Sequence, residues 1–71
     1  MRDEIHELDV VALLADLPEQ QLLRGQVGTV VMVHSPDVVE VEFVDDQGKT
    51  LALAPIPVLK LLRLRYRVEA T

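Results

Sequence analysis

"LRGQVGTVVMVH", Leu23 to His34, is the stretch on which the fold class turns. Two glycines sit three residues apart and a nearly unbroken β-branched run follows. Such a pair belongs to a phosphate-cradling loop, to a loop that grips nucleic acid, or to the turn by which a small sheet enters a strand. A P-loop needs G-x-x-x-x-G-K-[ST] between a strand and a helix. Here the spacing differs, no lysine follows Gly28, and the downstream run is a strand by composition. A dinucleotide fingerprint needs a third glycine and a helix. The structural reading explains more. Gly25 closes a long loop where the chain reverses. Gly28 lies inside a strand, where a missing side chain permits a bend or a close backbone approach.

The flanking sequence continues the β pattern. Upstream, "LDVVALLA" (Leu8 to Ala15) reads as a strand; a helix over Leu8 to Leu14 is the alternative, and the valine pair and nearby proline favour the strand. Pro18 biases Leu17 away from helix, so Asp16 to Gly25 reads as a long loop with a helical turn at "PEQQLL". Gln26 to His34 is the second strand, and "SPD" makes a tight turn after it. "VVEVEFV" alternates cleanly, with Val39, Val41 and Phe43 on one side and Glu40 and Glu42 on the other. "DDQG" reads as a short hairpin loop in which Gly48 can take positive φ. "KTLALA" is the fourth strand, which the prolines of "PIP" are expected to end. In "LKLLRLRYRV", Leu62, Leu64 and Tyr66 fall on one face and Arg63, Arg65 and Arg67 on the other. Five short strands with a proline-marked crossover before the last predict an all-β domain, a small five-stranded SH3-like barrel. An OB-type barrel is the alternative.

The 71 residues make one domain, residues 1–71 with a core about 7–66. A chain this short buries only about 60% of the surface its unfolded form exposes. Small domains add disulfides, metals or partners. The chain has no cysteine, which removes disulfides and thiolate metal sites, and two histidines do not make a four-ligand zinc site. A hydrophobic fraction of 49% is high for so little interior, and association is the stabilisation left. The acidic "MRDEIHELD" does not read as a signal peptide, and no apolar run approaches the ~20 residues of a membrane span. The net charge of −5 opposes a phosphate backbone.

Catalytic candidates read as structural. Ser35 follows His34, but neighbouring strand residues face opposite ways. Asp45 and Asp46 lie in a hairpin loop and read as turn residues. Glu40 and Glu42 share a face about 7 Å apart, within range for a carboxylate pair, yet alternation alone places acids on a solvent face. His6 and His34 are not brought together by anything in the sequence. With one Phe and one Tyr, and Phe43 assigned to the core, there is no aromatic platform for proline-rich peptides or unpaired bases.

Taken together, "LRGQVGTVVMVH" and "VEVEFVDDQGKTLAL" resemble a family of small bacterial proteins grouped as domain of unknown function 4926. An "ELDVV" start, a G-x-x-G-T-V-V segment, a V-E-V-E-F-x-D-x-x-G-K-T hairpin and an L-R-L end carry the resemblance, from about Glu7 to Leu64. It implies an SH3-like barrel in the bacterial cytoplasm and little about activity. The glycine pattern also resembles the KOW motif of ribosomal and transcription proteins. RNA-binding KOW segments are usually basic, whereas Arg24 is the only cation between Gln20 and His34.

These readings lead to a non-enzymatic interaction module with no cofactor or metal. Its expected partner is another protein or a second copy of itself, not nucleic acid or a membrane. Arg63, Arg65 and Arg67, on one face of the last strand, are the charged candidates for docking. Val30, Val44 and Leu61 are the expected exposed apolar ones. A KOW-like nucleic-acid binder is the competing function.

Overall fold

A computed structural model describes residues 4–65. The strands are β1 (Val10–Leu13), β2 (Val27–Ser35), β3 (Val38–Val44), β4 (Thr50–Pro57) and β5 (Leu61–Arg63). Single 3₁₀ turns occupy Pro18–Gln20 and Val58–Lys60. All pairings are antiparallel and form one sheet in the order β4-β3-β2-β1-β5. The expected all-β class is therefore the class observed. β4 and β5 stand at the two ends of this order, and no ladder joins them among the described residues.

The inner side holds a single core. Val11 and Leu13 of β1, Val30 of β2, Val39, Val41 and Phe43 of β3, Ala54 and Ile56 of β4 and Leu61 of β5 are all buried. Among the described residues no helical layer packs against them. Leu22 joins this core from the loop and is 1% exposed. That anchor, with the Leu17–Leu22 bridge and an Arg24 amide donating to Asp16 Oδ1 at 2.8 Å, orders a loop otherwise long enough to wander.

The glycines do what the sequence asks of them. Gly25 and Gly48 adopt φ of +92° and +84°, the left-handed region that a Cβ disfavours. At Gly28 the constraint is space. A Cβ there would meet Val41 Cγ1 at 2.7 Å, the Glu42 carbonyl oxygen at 2.8 Å and Phe43 Cδ1 at 2.9 Å. The β3–β4 hairpin is organised by Asp45, whose Oδ1 accepts the Gln47 and Lys49 amides, each at 2.8 Å.

Three expectations need correction. β4 runs through "PIP" instead of ending before it. The Val58 amide donates to the Asp37 carbonyl at 2.8 Å, so the backbones of Ile56 and Val58 face β3 and those of Pro55 and Pro57 face away. At a sheet edge the missing N–H groups cost no ladder bond. Val30 is not an exposed apolar residue but wholly buried, opposite Val41. In "TVVMV" both parities are apolar, so alternation cannot show which one is inward; the inward parity is that of Gly28 opposite Phe43. Leu61 is likewise buried, at 7% exposure, whereas Leu62 is 51% exposed. Leu61 lies opposite Leu13, which fixes its face.

Candidate functional site

The last strand, the second 3₁₀ turn, the end of β2 and the segment before β1 border an open groove of about 840 Å³. Its walls are apolar: Val33, Pro36, Val58, Leu59, Leu61 and Leu62. Local structure explains why these side chains line a surface. The β2–β3 register shifts between Val30 and Met32 and again between Val33 and Ser35. Each shift breaks alternation, and Val31, Met32 and Val33 are all at least partly exposed after Val30. Pro57 gives way to the 3₁₀ turn, which holds Leu59 outward at 73% exposure.

Polar groups stand beside the groove at two places. Asp9 is one hub: its Oδ2 accepts the His6 amide at 2.7 Å and Arg63 Nε at 3.0 Å. That carboxylate ties the segment before β1 to β5, fifty-four residues later in the chain. His6 Nε2 stands 3.3 Å from Glu4 Oε1. At the other place His34 Nε2 lies 2.6 Å from Glu40 Oε1. The structure thus sets His6 and His34 on the border of one groove, which the sequence does not reveal. Each histidine is engaged with its own carboxylate, and among the described residues no group of three or more His, Cys, Asp or Glu is arranged to hold a metal ion.

The expected docking residues separate. Arg63 and Leu61 border the groove. Arg63 shares the inward parity of Leu61 and is taken up by Asp9. Arg65 is exposed beyond β5. Arg67, like Tyr66, lies outside the described residues. Val44 is exposed at 45%, as expected, but at the far end of β3. Glu42 accepts the Thr50 hydroxyl at 2.6 Å, and Glu40 faces His34, so the two acids of one strand face have separate partners. The groove residues that sequence reasoning missed include Leu59, Leu62 and Val33. A Leu directly after "PIPV" is the available signal for Leu59; the bulges that expose Val33 leave none.

No helix among the described residues is long and apolar enough to cross a membrane. Fold and site together define a small antiparallel-sheet domain with an apolar surface groove. A family model described as "Domain of unknown function (DUF4926)" matches residues 7–62, and the chain belongs to that family. No curated protein and no solved structure matches the chain.

Proposed function

We propose that this chain is a non-catalytic protein-interaction module of the bacterial cytoplasm, a partner-binding or regulatory subunit that receives an apolar segment of another protein in its groove. The observation that carries the reading is Leu59 and Leu62, exposed at 73% and 51% beside the Arg63–Asp9 pair. Apolar walls supply the affinity of such a surface, and fixed charges at its ends supply register and specificity. The absence of cysteine accords with a reducing compartment. Charge argues against nucleic acid: the chain carries −5 and Arg63 already engages a carboxylate.

The test compares affinity capture from the native cell by the wild-type chain and by Leu59→Asp. A co-purifying protein lost in the variant supports the reading, and equal recovery by both contradicts it. A titration with single- and double-stranded nucleic acid at low salt tests the competitor. Tight, steeply salt-dependent binding there would replace the present reading.

A further inference from the structure

Ile5 packs against the core from outside the sheet, half-buried in the segment before β1. With Glu4 and His6 it forms one border of the groove. The fastenings of this segment are few and local. The Leu8 amide donates to the Val30 carbonyl at 2.7 Å and the Asp9 amide to the His6 carbonyl at 3.1 Å. Two further bonds meet at a single atom, Asp9 Oδ2, which accepts the His6 amide and Arg63 Nε. Arg63 reaches that oxygen because it shares the inward parity of Leu61. Asp9 itself belongs to the sheet, since its carbonyl accepts the Val30 amide at 2.9 Å. The residue between the segment and the sheet is Leu8. It has a φ of +72°, a conformation that a Cβ disfavours. Its side chain is 77% exposed, so burial of its own surface does not offset that strain.

We propose that residues 4–8 are a strap that closes the groove border with Ile5, hinges at Leu8 and is latched by the Asp9 carboxylate. The closed state gains the half-buried Ile5 and the charge-assisted bonds of Asp9. It bears the positive φ of Leu8, which the open state relaxes. Terms of similar size and opposite sign leave the strap less stable than the strands behind it, as befits a segment that moves to admit a ligand. An apolar ligand that takes the place of Ile5 binds the open state alone, and its apparent affinity is scaled by the open fraction. The strap thereby regulates the groove. This rests on the docking reading only for what displaces the strap, because the opening is measured on the isolated chain.

The test is amide hydrogen exchange of the full chain by NMR, paired with a titration of Nile red, an uncharged apolar dye. The His6, Leu8 and Asp9 amides should share one protection factor, roughly tenfold or more below those of Val41 and Ala54 in the β3–β4 ladder. Asp9→Asn should lower strap protection roughly three- to tenfold, leave Val41 and Ala54 unchanged, and raise the dye affinity by the same factor. Leu8→Asn, a residue that tolerates positive φ, should move both quantities the other way by about threefold. Strap amides as protected as Val41, or not protected at all, would overturn the strap. Protection that shifts in the variants while dye affinity stays fixed would overturn its control of the groove. Neither result touches the docking reading, which stands or falls on capture by Leu59→Asp.

Discussion

β3 and β5 are built from similar material and behave differently. Both mix aliphatic residues with charged ones at short range. In β3 the inward residues Val39, Val41 and Phe43 are 1%, 0% and 0% exposed, and the glutamates are outward, as alternation requires. In β5 the inward set is Leu61 with Arg63, and Leu62 is turned out. The difference lies in neighbours. β3 is paired on both sides, with β2 over Val38 to Phe43 and with β4 over Val38 to Val44, and its two parities are chemically distinct. β5 has three residues and one partner, β1. Its own sequence offers leucine at both parities, so the facing strand decides: Val11 and Leu13 are inward, and the residues opposite them follow. A short edge strand takes its orientation from its neighbour.

A truncation series measured by denaturant unfolding grades this contrast. Phe43→Ala should cost the most, about 3–5 kcal/mol, because it empties the centre of the core. Leu61→Ala should follow at about 2–4 kcal/mol, smaller because a sheet edge relaxes more readily into the cavity. Leu62→Ala should change monomer stability by no more than about 0.5 kcal/mol. Equal losses at Leu61 and Leu62 would break the contrast. A small, salt-dependent effect is expected at the inward cation. Arg63→Met keeps the stem and removes the charge from Asp9, and the pair is partly solvated, so about 1 kcal/mol or less should be lost at low salt. The loss should shrink as salt is added, and a loss that ignores salt would mean that packing, not charge, holds Arg63 in place.

The same contrast accounts for what could be read from the sequence. Clean alternation in "VVEVEFV" gave the strand and its buried face, and turn chemistry gave the hairpin at Asp45 to Gly48. Gly28 was legible as a close approach, though the atoms it approaches were not. "TVVMV" and "LKLLRL" hid their buried faces because apolar residues stand at both parities. That is why Val30 and Leu61 were expected outside and lie inside. The prolines of "PIP" marked a strand end only if β4 were flanked on both sides; at an edge they are tolerated. The groove was the least legible feature. It joins Ile5 and His6 to Val33 and Leu62, and such an arrangement depends on pairings and bulges that no local pattern encodes.

The claim underneath both proposals is that β5 buries Leu61 and presents Leu62. Because the chain contains no cysteine, Leu61→Cys and Leu62→Cys each introduce a single thiol whose access can be timed with a soluble thiol reagent under native conditions. The account predicts that Cys at 62 reacts in proportion to the reagent at low protein concentration. Cys at 61 should react only as fast as the domain opens. Rapid labelling at 61 with protection at 62 would contradict it.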